Sequence, residues 1–330
     1  MKANDIKVFI SSVLPNIGIE LLRKEQFNVI TWDNVTPIPP DILIENAKQC
    51  NALLCTLTAK IDAHFLDECR HLEIISQFGV GYDNINVAEA TRLGIPVTNT
   101  PGVLTDATAD VAFGLMIAAS RKMFFMHKKI ERNEWKYFTP TSNLGIELKN
   151  KTLGVFGLGR IGIEMAKRCK GAFNMNIIYH NRRPDRDAEK LLEAKYVSFD
   201  ELLGQSDVLS VHSVSSEATR GIFNKSAFEK MKPTAIFINT ARGALHNEED
   251  LIQALNEGRI WGAGLDVTNP EPMHANNPLL KMENVAVLPH IGSATMEARN
   301  GMSRLAAENI IEFYKNSRIP HLVNPGAMEK

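Results

Sequence analysis

Three short stretches in the second half of the chain carry a guanidinium, a carboxylate and an imidazole: Asn239-Thr240-Ala241-Arg242-Gly243, Asn269-Pro270-Glu271-Pro272 and Leu288-Pro289-His290-Ile291-Gly292. Reduction of a 2-oxo acid requires such a set. A cation must hold the carboxylate, a proton donor must meet the developing alkoxide, and a neighbouring group must keep that donor protonated near neutral pH. The planar, permanently charged Arg242 suits a carboxylate and its adjacent carbonyl. A hydrogen-bonded Glu271 would favour the imidazolium form of His290, making it a general acid in reduction and a general base in reverse. Taken singly, each residue is ordinary, because a lone histidine is usually structural and a glutamate between prolines is usually a loop charge.

A second cluster suits phosphate. Gly157-Leu158-Gly159-Arg160-Ile161-Gly162 follows an apolar strand at 152–156, opens a helix at 161–170 and precedes a second strand ending near Tyr179. That context makes the G-x-G-x-x-G spacing a dinucleotide signature. Gly157 permits the turn, Gly159 lets backbone approach a pyrophosphate, and Gly162 lets the helix sit close to the strand. About 20 positions on, an acidic residue would accept hydrogen bonds from a free ribose 2′-hydroxyl. Here Asn181-Arg182-Arg183 stands instead. With no carboxylate to repel a 2′-phosphate and two guanidinium groups to bind it, NADP(H) is expected as the preferred cofactor, with NAD(H) possible. The competing reading leaves the arginines solvated and gives the ribose to Asp185.

These groups need elements to hold them. Short branched apolar runs at 7–10, 28–30, 52–54 and 73–75 alternate with helical patterns at 17–24 and 41–49. The alternation predicts parallel α/β layering. Residues 105–123, apolar on more than one face, predict a long buried helix at a domain crossing. Residues 132–150 lack periodicity but hold Trp135, Tyr137 and Phe138, as an arm with aromatic anchors would. A second alternation follows, with strands at 153–156, 176–179, 208–212, 235–239, 263–267 and 285–288. An amphipathic pattern at 295–314 then returns the chain to its first lobe. The expected organisation is two doubly wound parallel-sheet domains: a substrate domain from residues 1–102 and 293–330, and an inserted dinucleotide-binding domain at 103–292.

Bulk properties remove other classes. Basic and acidic residues number 37 and 38, so no overall field recruits nucleic acid or an anionic membrane. Cys50, Cys55, Cys69 and Cys169 show neither a C-x-x-C spacing nor a histidine cluster, so reduced thiols and no metal site are expected. The amino terminus reads as a strand rather than a signal peptide, and the longest apolar stretch, 111–119, is too short to span a bilayer. A cytoplasmic protein is the default expectation.

In order along the chain, Gly79-Val80-Gly81-Tyr82-Asp83-Asn84, the glycine turn, Thr240-Ala241-Arg242-Gly243, Gly264-Leu265-Asp266-Val267, Pro270-Glu271-Pro272 and Pro289-His290-Ile291-Gly292-Ser293 resemble the motifs of the D-isomer-specific 2-hydroxyacid dehydrogenase family. The resemblance implies a Rossmann cofactor domain inserted into a flavodoxin-like substrate domain, with Arg242, Glu271 and His290 as the catalytic set. It implies substrate binding by the backbone of Val80 and Gly81 together with Arg242 and His290. Thr240, Ala241, Asp266 and Gly292 would lie against the cofactor, Asp266 at the nicotinamide carboxamide. Residues 173–183 and 290–295 look most like the glyoxylate/hydroxypyruvate reductase and 2-ketogluconate reductase branch, which mostly favours NADPH. That likeness implies reduction of a small 2-oxo acid to the D-2-hydroxy acid, or of glyoxylate to glycolate. It also implies a homodimer, with an arm near 121–150 carrying Trp135 toward the partner. There are departures: Thr268-Asn269 replaces a common Phe-Glu, His246-Asn247 a frequent Val-Asp, and the serine-rich 213–216 a proline-containing stretch. Rival readings are a nucleotide-sensing corepressor of the same fold, a D-glycerate or phosphoglycerate dehydrogenase, and a formate dehydrogenase, which has glutamine in place of Glu271.

Overall fold

A computed structural model describes residues 3–329, in two compact units: Met1–Leu104 with Ala294–Lys330, and Thr105–Ser293. The first unit runs β1 (Lys7–Ile10), α1 (Asn16–Lys24), β2 (Asn28–Thr31), α2 (Pro40–Ala47), β3 (Ala52–Cys55), α3 (Ala63–Glu68), β4 (Ile74–Gln77), α4 (Val87–Leu93) and β5 (Val97–Thr98). The second opens with α5 (Thr105–Ser120), α6 (Met123–Glu131), β6 (Thr152–Phe156), α7 (Arg160–Phe173), β7 (Asn176–His180), α8 (Arg186–Leu192) and β8 (Lys195–Tyr196). It continues through α9 (Phe199–Gln205), β9 (Val208–Val211), α10 (Lys225–Lys230), β10 (Ile236–Asn239), α11 (Glu248–Asn256), β11 (Gly262–Leu265) and β12 (Val285–Val287). Helix α12 (Met296–Asn316) belongs to the first unit.

In the first unit the strand order is β2-β1-β3-β4-β5, all parallel, the flavodoxin-like order. Strands β3 and β4 are buried at every position, as a sheet covered on both faces requires. Helix α12 packs on α1 and β4, and its buried Ser303 hydroxyl donates to Pro15 O and accepts from Gly18 N. Ser76 of β4 likewise donates to Ala306 O at 2.9 Å.

The second unit is a seven-stranded parallel sheet, β12-β11-β10-β9-β6-β7-β8. The order reverses between β6 and β9, the switch point at which open α/β sheets bind ligands. Because all the strands run the same way, their carboxyl ends line one edge. The loops after β6, β7, β9, β10, β11 and β12 therefore share that edge. Helix α5 packs against α7 and on β10, β11 and β12. Arg168 of α7 ties the two helices by ion pairs to Asp106 and Asp110.

Differences from the sequence reading are local. The single helix expected over 105–123 ends at Ser120, and Lys122, at φ 56°, breaks the path before α6 begins. The two-residue strands β5 and β8 were not foreseen, being too short to show a period. Residues 132–150 contain no helix or strand. All four cysteines are buried free thiols. Among the described residues, no helix is long and apolar enough to cross a membrane and no group of three His, Cys, Asp or Glu could hold a metal ion.

Candidate active site

The glycine turn closes β6 at the switch point. Gly157 has φ 95°, and a Cβ there would lie 2.7 Å from Ser213 N, so the turn nests against the chain leaving β9. A Cβ on Gly162 would lie 2.7 Å from Gly157 O. A Cβ on Gly159, in contrast, would meet nothing within 4 Å. Helix α7 starts with no side-chain cap, which leaves its first N–H groups and its positive dipole end available to an anion. Backbone donors beside open space fit a pyrophosphate. Leu158 is buried, Ile161 half-buried and Arg160 exposed.

Asn181 grips this turn. Its Oδ1 accepts from Leu158 N at 2.7 Å and its Nδ2 donates to Leu158 O at 3.3 Å. Both ends of the carboxamide are thus engaged by backbone. Arg182 and Arg183 are exposed, and neither has an ion-pair partner among the described residues. Asp185 caps α8, accepting from Asp187 N and Ala188 N, while its own N–H donates to the Tyr179 hydroxyl at 2.8 Å. That hydroxyl donates to Glu189 at 2.9 Å, so the loop carrying the arginines is braced from beneath.

After β10 the chain turns on Asn239. The buried carboxamide accepts from Ala241 N at 3.0 Å and donates to Arg242 O at 2.8 Å and to His246 Nδ1 at 3.0 Å. Arg242 has extended backbone, and its Nη1 donates to Ala241 O at 2.7 Å. Thr240 is buried beside it.

His290 stands after β12 at φ 54°, a left-handed conformation that a histidine adopts only when its surroundings hold it. Asp266, buried after β11, supplies the hold. Its two carboxylate oxygens accept from Ile291 N at 2.8 Å and Gly292 N at 2.7 Å. Burial pushes the Asp266 carboxyl up, opposed by those two N–H groups. The His290 Nδ1 is hydrogen-bonded to Glu271, leaving Nε2 as the other ring position. Burial alone would push the Glu271 carboxyl up. The hydrogen bond and charge of His290, the Thr268 N–H and the Arg242 charge outweigh it and hold Glu271 below the usual carboxylate range. The three candidate groups therefore share one electrostatic neighbourhood.

Val80 and Gly81 follow β4 in the first unit. Their carbonyls accept from Asn99 Nδ2 and Gln77 Nε2, and their N–H groups donate to no protein acceptor among the described residues. Sequence reasoning missed Asn239 as an organising residue, and it missed His212, whose Nε2 lies 2.8 Å from the buried Ser210 hydroxyl beside the glycine turn. The available signal was a polar residue closing an otherwise apolar strand.

Comparisons with known proteins bear on this arrangement. Residues 113–292 match the D-isomer specific 2-hydroxyacid dehydrogenase, NAD binding domain. A glyoxylate reductase of Thermococcus litoralis is 45% identical over 322 residues, covering 96% of each chain. Among solved structures, a glyoxylate reductase from Paecilomyes thermophila superposes with a TM-score of 0.87 at 34% identity, over 96% of this chain and 98% of that one. The NADPH-dependent glyoxylate/hydroxypyruvate reductase of Sinorhizobium meliloti, in complex with NADP and malonate, gives 0.85 at 29% identity over 98% and 97%. With a nucleotide-ready glycine turn at the switch point and similarity running through both units, this chain belongs to the D-isomer-specific 2-hydroxyacid dehydrogenase family of oxidoreductases.

Proposed function

We propose that this dehydrogenase reduces glyoxylate to glycolate, and accepts hydroxypyruvate or 2-ketogluconate to the extent its substrate loops allow, with NADP(H) preferred over NAD(H). The observation that carries the reading is the hydrogen-bonded His290–Glu271 pair within reach of the Arg242 charge, on the same sheet edge as the glycine turn. The glyoxylate reductase names of the relatives support the substrate. They lend nothing to a corepressor role.

The nicotinamide dinucleotide, when bound, supplies the hydride. Arg242 holds the substrate carboxylate and polarises the carbonyl. Glu271 keeps Nδ1 of His290 protonated and the ring oriented, so that Nε2 delivers the proton to the alkoxide oxygen. Asp266 holds the loop that aims His290. The residues fit the cofactor as follows: backbone at 157–162 for the pyrophosphate, Asn181 shaping that turn, Thr240, Ala241 and Gly292 along the edge, and Arg182 with Arg183 for a 2′-phosphate. Engagement of Asp185 as a helix cap favours the arginines over that carboxylate as the ribose-reading groups. In the first unit, read as the substrate domain, the N–H groups of Val80 and Gly81 are the expected carboxylate donors.

The arm supports a homodimer. Trp135, Tyr137 and Phe138 are each more than two-thirds exposed, and a cavity of about 440 Å³ opens among Ile130, Trp135 and Tyr137. A lone chain rarely shows so much apolar surface in one place. Steady-state rates with glyoxylate, hydroxypyruvate and 2-ketogluconate, each with NADPH and NADH, test the substrate and cofactor together. Fastest turnover of glyoxylate with NADPH is expected. No steady turnover of any of the three overturns the enzymatic reading, and a clear NADH preference overturns the cofactor reading.

A further inference from the structure

We propose that His246 is a positioning residue for Arg242: through the Asn239 carboxamide it fixes the backbone from which the guanidinium projects. The inference rests on the reading of Arg242 as the carboxylate-binding group. Its basis is the hydrogen-bond bookkeeping of one buried amide.

Asn239 ends β10 and is fully buried. A primary amide has two N–H bonds and one carbonyl oxygen. The oxygen faces the Ala241 N–H and the nitrogen faces the Arg242 carbonyl, so the amide cannot be turned over without losing both contacts. One N–H remains, and it points at His246 Nδ1, 3.0 Å away. For that contact Nδ1 must offer a lone pair, which places the proton of a neutral ring on Nε2.

His246 is built to stay there. It is 1% exposed, its ring meets Phe237 edge-on with centroids 5.8 Å apart, and burial pushes its pKa down to about 4. Its backbone N–H donates to Gly243 O, and the flanking Leu245 O and Asn247 N are hydrogen-bonded to the backbone of Phe223. The imidazole is therefore an immobile acceptor. Without it, one Asn239 N–H is left buried and unpaired in the turn that presents Arg242, and the amide must rotate toward another acceptor and release the Arg242 carbonyl.

The test compares His246→Leu, similar in size but with no acceptor, with His246→Asn, whose Oδ1 can occupy the place of Nδ1. Kinetics with glyoxylate and hydroxypyruvate, each against the faster cofactor, are the first readout. His246→Leu is expected to raise the KM for the 2-oxo acid roughly tenfold, the scale of one buried group left unpaired, with the cofactor KM unchanged. His246→Asn is expected to restore it. Equal 2-oxo acid KM values in wild type and His246→Leu overturn the proposal. So does a lowered Tm shared by both variants with no change in KM, which marks a merely structural role. Where His246→Leu fails to fold, loss of 2-oxo acid affinity in His246→Asn equal to that in His246→Gln, whose acceptor sits one bond too far, overturns it as well. Histidine ¹⁵N spectra of the intact wild-type protein give a readout independent of activity: His246 should appear as the neutral Nε2–H tautomer, and an Nδ1–H tautomer refutes the geometry. Arg242→Ala separates the premise from the inference. If that variant keeps its activity, the reading of Arg242 fails; if it is crippled while His246→Leu is normal, only the present inference fails.

Discussion

The turn after β10 and the loop after β7 both leave buried strands of the same sheet and both present arginine. They are constructed differently. Arg242 is held at its backbone by a buried amide, its guanidinium donates to Ala241 O, and its charge is felt at Glu271. Arg182 and Arg183 are exposed, and only the loop beneath them is braced, by Tyr179 and the Asp185 cap. A group that stabilises developing charge must be oriented beforehand in a poorly solvated place. A group that selects between two cofactors by a phosphate needs positive charge at the right edge and tolerates side-chain freedom.

The largest break in this comparison is expected from Arg242→Ala, which should lower kcat/KM for the 2-oxo acid on the order of 10³-fold, a scale typical of removing an electrostatic stabiliser. Steady-state kinetics with a Tm control check it, and near-normal turnover would contradict the preorganised role. A smaller effect should follow from Arg182→Ala with Arg183→Ala. Loss of charge-assisted contacts to a 2′-phosphate should raise the NADPH KM by about 10- to 100-fold while leaving the NADH KM nearly unchanged. Because these side chains are exposed, the NADPH effect should shrink at high salt.

The smallest effect concerns the frame of the rigid turn. His246 titrates near 6.5 when unfolded and at about 4 when folded. Below pH 6.5 the unfolded chain takes up a proton that the folded chain refuses, so stability falls as pH drops from 6.5 to 4 and does not depend on this group above pH 7. The loss approaches about 3 kcal/mol at pH 4. Denaturant midpoints measured across that window should fall less steeply for His246→Asn than for wild type. Parallel slopes would show that the ring is not the neutral buried group described above.

Much of the second sheet could be read from the sequence because its strands are continuous apolar runs, and such runs announce themselves without alternation. Leu153-Gly154-Val155-Phe156 and Ile236-Phe237-Ile238 are of this kind. The break at Lys122 was not legible, since nothing in residues 105–123 marks a left-handed residue. Nor were the two-residue strands β5 and β8, which exist only through pairing with β4 and β7.

At the site, sequence alone determined which chemical groups close each strand: the glycine turn, Asn181-Arg182-Arg183, Arg242, Glu271 and His290. Composition and order fix such groups because a strand's last residue is local information. Tertiary structure alone decided what each group touches. Asn181 grips Leu158 rather than standing free, Asp266 clamps the loop after His290, and Asn239 and His246 brace Arg242. The partners in these contacts lie between 3 and 26 residues apart and meet because a parallel sheet gathers its carboxyl ends along one edge, a proximity that sequence spacing does not encode.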